Sequence, residues 1–93
     1  MTDPEGIATV VATYPNPLST STRLRYVLDR RASVSITIHD ALGRTVATPV
    51  IDEMQEEGEH VFALEMGTLQ SGLYSCRLRA GGVDAVVRLV IVR

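Results

Sequence analysis

Side chains that could carry out chemistry are few and widely spaced in this sequence. A hydrolytic triad needs a histidine base beside a nucleophile, and only His39 and His60 could supply that base. Neither histidine sits in a recognisable motif such as G-x-S-x-G. Two distant histidines and the single Cys76 also make a poor zinc site. We therefore expect no catalytic residue, no metal and no cofactor, and we expect Cys76 to be a small buried apolar residue.

The acidic run from Asp52 to Glu59 is the other cluster that could bind an ion or a substrate. It lacks the alternating Asp/Asn pattern of an EF-hand calcium loop. Paired carboxylates can hydrolyse glycosides, but a sugar-binding cleft needs more chain than 93 residues comfortably supply. The run is therefore predicted to be a solvated acidic loop, and the domain is predicted not to be an enzyme.

Composition restricts the class of protein further. An apolar fraction of 45% against 22% charged residues is typical of one globular domain. The net charge is −2, and the sequence has no basic stripe, so we expect no nucleic-acid partner. All nine basic residues are arginine. The first ten residues do not have the pattern of a signal peptide, and no run approaches the roughly 20 apolar residues of a membrane-spanning helix.

Alternation of apolar and polar residues predicts β-strands along most of the chain. Residues 22–28 and 32–40 show it best, and the polar DRRA connection at 29–32 predicts that they form an antiparallel hairpin. Their predicted inward residues are Leu24, Tyr26, Leu28, Val34, Ile36 and Ile38. A third strand is predicted over residues 45–50, and Pro49 makes it short or places it at an edge.

The second half of the chain continues the pattern. A strand begins near His60 with Phe62 and Leu64 inward, and Leu69 is expected to tuck under the sheet. Gly81-Gly82 is a strong signal for a hairpin between the last two strands. The predicted inward residues of these strands are Tyr74, Cys76, Leu78, Val87, Leu89 and Ile91, and Arg88 is predicted to point outward.

With an opening strand at residues 7–13, the chain contains about seven short strands and no convincing helix. This pattern predicts an all-β antiparallel β-sandwich. Residues 1–6, rich in acids with a proline and a glycine, are interpreted as a linker or an expression remnant, and residues 7–93 as the domain. There is no Cys…Trp…Cys signature, so a likeness to immunoglobulin domains would be one of architecture.

Several short motifs follow one another in a familiar order. They are YPNP at 14–17, IHDALGRTV at 38–46, EGEHVFAL at 57–64, LQSGLYSCRL at 69–78 and VVRLVIVR at 86–93. Together they resemble the C-terminal sorting domain of type IX secretion system cargo, which is an immunoglobulin-like β-sandwich of about seven strands. The pattern is also similar to the immunoglobulin-like domain of the flagellar hook-capping protein. The resemblance covers residues 14–93, and YPNP would open the entrance strand of the domain, with Pro15 and Pro17 themselves expected to shape a turn.

The resemblance implies a non-catalytic sorting signal attached to an upstream cargo protein on the same chain. Outer-membrane components of the type IX translocon would recognise it in the periplasm, and the cargo would end at the cell surface or be secreted. An edge-strand dimer is a further partnership to test. In that family the last strand and its basic end matter for export, which here correspond to Val86 to Arg93 with Arg88 and Arg93 as the charged positions. The remaining candidate residues, expected to serve turn geometry or core packing first and recognition second, are Asp40, Gly43, Arg44, Gly72 and Tyr74.

Alternative interpretations stay open at this point. Arg88 and Arg93 could equally be charges that keep an apolar edge strand from aggregating. The domain could also be a structural module that packs on a catalytic domain or belongs to a hook cap. A carbohydrate-binding module is a third alternative, although one Phe, three Tyr and no Trp leave little surface for stacking on sugar rings.

Overall fold

The chain forms a sandwich of two antiparallel sheets. The computed structural model describes residues 8–93, with side chains from residue 13 onward. The seven strands are β1 (Ala8–Tyr14), β2 (Ser21–Leu28), β3 (Ala32–Asp40), β4 (Thr45–Gln55), β5 (Gly58–Glu65), β6 (Gly72–Ala80) and β7 (Val83–Ile91). One sheet has the order β1-β2-β5 and the other the order β4-β3-β6-β7. The prediction of a seven-stranded antiparallel β-sandwich is confirmed. Residues 1–6, interpreted as a linker, and residue 7 of the predicted opening strand lie outside the described residues.

The predicted inward faces form the core. The central strands β2 and β3 alternate buried and accessible side chains, as a period of two requires for strands with one face on the core. Leu89 and Ile91 complete this core from β7, whereas Phe62, Leu69 and Val87 are only partly buried against it. Burial raises the pKa of the Cys76 thiol to about 12, which keeps this side chain a neutral, apolar core residue.

The predicted hairpin between β2 and β3 is wrong. β2 pairs with β1 and β5, while β3 pairs with β4 and β6, so residues 29–31 carry the chain from one sheet to the other. Both strands bury alternate residues, but they do so from opposite sides of one core. Alternation identifies the buried face of a strand but does not determine which strand pairs with it. A hairpin within one sheet and a connection between two sheets produce the same alternation.

Strand β4 is longer than predicted and includes part of the acidic run. It does lie at a sheet edge, as Pro49 indicated, but it continues to Gln55, so the predicted loop starting at Asp52 is wrong. The Ser35 hydroxyl accepts a hydrogen bond from the Asp52 backbone N–H at 2.9 Å, where the ladder with β3 shifts register. Almost every side chain of β4 is solvated on both faces, so acidic residues fit this strand without burial.

The turns confirm their sequence signals. Gly81 and Gly82 have φ of 58° and 87°, and both values suit the type I′ turn that joins strands in a two-residue hairpin. Tyr74 lies near the start of β6, two residues before Cys76, and its hydroxyl donates to the Gln70 carbonyl at 2.7 Å. This arrangement matches the tyrosine corner of immunoglobulin-like sandwiches. The described residues contain no helix long and apolar enough to span a membrane.

The YPNPL segment, Tyr14–Leu18, leads from the end of β1 towards β2, which agrees with the turn expected of Pro15 and Pro17 and not with an entrance strand. β1 ends at Tyr14 and β2 begins only at Ser21. Asn16 Oδ1 accepts from the Val90 N–H at 3.1 Å, and Asn16 Nδ2 donates to the Arg88 carbonyl at 2.9 Å. Leu18 forms a parallel bridge with β7, donating to the Val90 carbonyl at 2.8 Å. The segment therefore occupies the outer edge of β7 over its last residues.

Candidate functional site

The outer face of the β6–β7 hairpin carries the side chains that the core does not use. Ser75 lies opposite Arg88 in the antiparallel ladder, and Arg77 lies opposite Val86. Because successive residues of a strand point to opposite faces, these four side chains share one solvated surface. The prediction that Arg88 points outward is confirmed.

A shallow groove of about 650 Å³ opens on this face. The small Ser75 lies between the larger Leu73 and Arg77 along β6, which leaves a depression opposite Arg88. The groove is lined by Asp40, Ala41, Leu73, Tyr74, Ser75, Val86 and Arg88. It therefore brings together Asp40, Tyr74, Val86 and Arg88, which the sequence placed far apart.

The groove combines positive charge with exposed aliphatic surface. Within the described residues, neither Arg77 nor Arg88 forms an ion pair, whereas Arg79 pairs with Asp84 at 2.8 Å. The Arg79 hydrogen bond holds the pKa of the Asp84 carboxyl below its ordinary value, so this carboxylate is already engaged. Leu73 and Val86 are 55% and 60% exposed. Exposed arginine is enriched at protein-binding surfaces.

One wall of the groove is built by the Asp40–Arg44 turn. Asp40 Oδ1 accepts hydrogen bonds from the backbone N–H groups of Leu42 and Arg44, each at 2.9 Å, and Oδ2 accepts from Arg44 Nε at 2.8 Å. Gly43 has φ of 84°, which a residue with a Cβ adopts only with strain. The turn geometry expected of Asp40 and Gly43 is therefore confirmed: Asp40 forms an Asx-type turn, with Arg44 as an additional partner.

Replacement of Asp40 by Asn is expected to lower the melting temperature at pH 7, and the difference should disappear in acid. The Arg44 backbone N–H, followed by the Arg44 guanidinium and the Leu42 N–H, outweighs desolvation and holds the pKa of Asp40 below its ordinary value near 3.9. The charged form thus stabilises the fold above the unfolded-state pKa, and this contribution is lost as the pH falls through the folded-state pKa. Thermal unfolding of both proteins between pH 7 and pH 2 measures it. An unchanged difference across this range would contradict the assignment.

Arg93 and Gly72 do not line the groove. The Arg93 guanidinium donates to three backbone carbonyls, those of Ser19 at 2.9 Å, Met66 at 2.6 Å and Leu69. Its backbone N–H donates to the Ser71 hydroxyl at 3.1 Å. Arg93 therefore fastens the end of β7 to the loop before β6. Gly72 is the first residue of β6 and contributes backbone only.

Sequence reasoning missed Leu73 and Ser75 as parts of the groove, and Arg77 as their neighbour on the same outward face. The available signal was their position: they are the outward residues of β6, directly across from the outward residues of β7. Register between the two strands follows from the Gly81-Gly82 turn, so this surface could have been derived once the hairpin was assigned.

The fold is an immunoglobulin-like β-sandwich, and its groove carries an exposed arginine beside accessible aliphatic side chains. Residues 12–92 match the family model described as the secretion system C-terminal sorting domain, so the chain belongs to that family. Its members are the C-terminal sorting signals of type IX secretion cargo and are not catalytic, and such cargo is exported to the cell surface or secreted. The resemblance stated from the sequence motifs is thereby confirmed. A comparison with curated proteins finds no match.

Proposed function

We propose that the groove on β6 and β7 is the surface through which outer-membrane components of the type IX translocon recognise this domain. Recognition would take place in the periplasm, with an upstream cargo on the same chain and residues 7–93 as the folded sorting unit. The proposal rests on Arg88, a cation without an ion-pair partner in the described residues. Arg88 lies opposite Ser75 in the ladder and lines the groove together with the exposed side chains of Leu73 and Val86. Such a surface fits a partner that offers a carboxylate flanked by apolar side chains.

The candidate residues would then divide between contact and support. Val86 and Arg88 would contact the receptor directly, because both are accessible in the groove. Asp40, Gly43 and Arg44 would hold the shape of its wall through the turn that they form. Tyr74 and Gly72 would position the start of β6, and Arg93 would fasten the end of β7.

Reversal of the charge at Arg88 tests this surface. A fluorescent reporter targeted to the periplasm and carrying residues 7–93 at its C-terminus is expected to reach the surface of a host with a working type IX system. Arg88→Glu is expected to lower surface delivery at least about tenfold, the effect of losing one favourable charge contact of about 1.4 kcal/mol. Arg23→Glu is the matched control, since Arg23 is an exposed arginine of β2 in the other sheet and forms no ion pair among the described residues.

The outcomes separate recognition from folding. Melting temperatures of both variants establish that each domain folds, and export of the host's own cargo establishes that the translocon works. Loss of delivery for Arg88→Glu together with normal delivery for Arg23→Glu would support the groove. Equal delivery of the two folded variants would remove Arg88 from the receptor contact. Failure of the unmodified domain to deliver the reporter would count against the sorting function of this chain.

The edge-strand dimer stays a prediction. β4 and β5 each have one edge without a strand partner among the described residues, and exposed edges can pair between copies. Velocity sedimentation of the 93-residue chain over a range of concentrations measures this association.

A further inference from the structure

The side of the sandwich formed by β4 and β5 is open. Both are edge strands, one in each sheet, and no described strand pairs with their outer edges. A cleft of about 300 Å³ runs between them into the interior and is lined mainly by apolar side chains, among them Val46, Pro49, Phe62 and Leu69. In constant-type immunoglobulin domains a fourth strand lies beside the strand equivalent to β5, whereas here β4 pairs with β3 in the other sheet. That place has no occupant among the described strands.

The backbone of β5 is ready to accept such a strand. The Met66 N–H donates to the Thr20 carbonyl at 2.8 Å, which fixes the side of the strand that faces β2. Since the hydrogen-bonding direction alternates along an antiparallel strand, Val61, Ala63 and Glu65 point their N–H and C=O groups to the free edge. The edge therefore presents three consecutive pairing positions beside an apolar cleft.

The side chains of β4, β5 and the turn between them are acidic, although β2 places Arg23 opposite Ala63 and Arg93 donates to the Met66 and Leu69 carbonyls. Residues 45–76 contain six carboxylates and neither lysine nor arginine. Arg31 pairs with Glu56 and Arg25 pairs with Glu59, but the Glu65 carboxylate, which borders the cleft, has no ion-pair partner among the described residues. Glu53 and Glu57 on the neighbouring β4 and its turn add to the same field. A strand with basic ends would complement this edge.

On the opposite side of the sandwich, the backbone edge at the end of β7 is already covered. There, Asn16 and Leu18 already satisfy the backbone N–H and C=O of Val90, and β1 runs beside β7. The two sides therefore differ in backbone pairing as well as in charge.

We propose that the free edge of β5 is a strand-addition site for an extended segment of a partner protein, with aliphatic side chains at alternate positions and lysine or arginine at its ends. Backbone bonds to Val61, Ala63 and Glu65 supply affinity, and the cleft beside Phe62 receives the aliphatic side chains. The acidic edge selects the basic ends. This site lies in the other sheet from the groove on β6 and β7, so it does not depend on the function proposed for that groove.

Peptide titration of the 93-residue chain tests the site. The probe is a capped synthetic peptide Arg-Val-Thr-Val-Thr-Val-Arg, and the control peptide has Glu in place of both Arg residues. Amide resonances of Val61, Ala63 and Glu65 are expected to shift, and their hydrogen exchange is expected to slow. The basic peptide is expected to bind at least about tenfold more tightly than the acidic one.

Two variants of the chain complete the test. Ala63→Pro removes one N–H from the free edge without removing a bond to β2, and it is expected to weaken the basic peptide about tenfold. Glu65→Arg is expected to reduce or reverse the preference for basic ends, and it decides the question if Ala63→Pro does not fold. The proposal is overturned by no binding at about 1 mM peptide, by equal binding of both peptides, or by shifts confined to other strands. These amides could instead exchange slowly because the chain associates with itself. In that case the occupant of the β5 edge is a second copy of the chain and not a segment of a partner protein.

Discussion

Deletion of residues 86–93 is expected to abolish cooperative folding of the domain, and not only its export. The deletion removes Leu89 and Ile91, which are 0% and 1% exposed in the core, together with the partly buried Val87. Burial of an aliphatic side chain stabilises by about 1.5–3 kcal/mol. Loss of these side chains, of the β6 ladder and of the Arg93 contacts is comparable to the roughly 5–14 kcal/mol expected for a domain of this size.

Circular dichroism and thermal unfolding of the full and shortened chains measure the effect. The full chain should unfold in one sigmoidal transition, whereas the shortened chain should show none. A native-like transition in the shortened chain would mean that β7 is an accessory strand. If the prediction holds, loss of export after this deletion reports a folding defect and gives no information about receptor contact.

Substitution within β7 separates the two roles of this strand. Leu89→Ala is expected to lower the free energy of unfolding by about 2–5 kcal/mol, because it leaves a cavity at a fully buried position. Val86→Ala, three residues earlier on the opposite, exposed face, is expected to change it by less than about 0.5 kcal/mol. The two variants lie in the same strand and have the same replacement residue, so they differ mainly in the burial of the side chain that is removed.

Urea denaturation of both variants gives the stabilities, and the reporter assay gives their export. Leu89→Ala should lose export only in proportion to its unfolded fraction, whereas Val86→Ala should lose it while folded. Similar stability losses for the two variants would contradict the inward and outward assignment of β7. Normal export of folded Val86→Ala would show that Val86 is not part of the receptor contact.

The sequence was sufficient for the strands and their buried faces, and insufficient for the pairing of some strands. Leu24 and Ile36 are buried as alternation predicts, because a half-buried strand imposes a period of two on its side chains. The order of the strands depends on contacts between distant segments, which periodicity does not record. The change of sheet at residues 29–31 is one such case. The extension of β4 through Asp52 is another, since it rests on pairing with β3, where Asp52 bonds to Ser35.

The candidate site divides in the same way. The turn at Asp40 could be predicted because its bonds join residues close in the chain, namely Leu42 and Arg44. The partnership between Asn16 and β7 could not, because it joins residues more than 70 positions apart through a side chain that imitates a strand. YPNP was correctly singled out as a motif, but its role becomes clear only when the chain returns beside it.

The parallel contact between Leu18 and Ile91 also has a mechanical consequence. Tension applied between an upstream domain and the end of β7 would pull these two neighbouring segments in opposite directions. The hydrogen bonds that Asn16 and Leu18 make with Val90 and Val92 would then be loaded in shear and would share the force, instead of opening one after another. The hydrogen bonds of the YPNPL segment would therefore bear a force applied along the chain. The rest of the sandwich would stay folded until these bonds broke together.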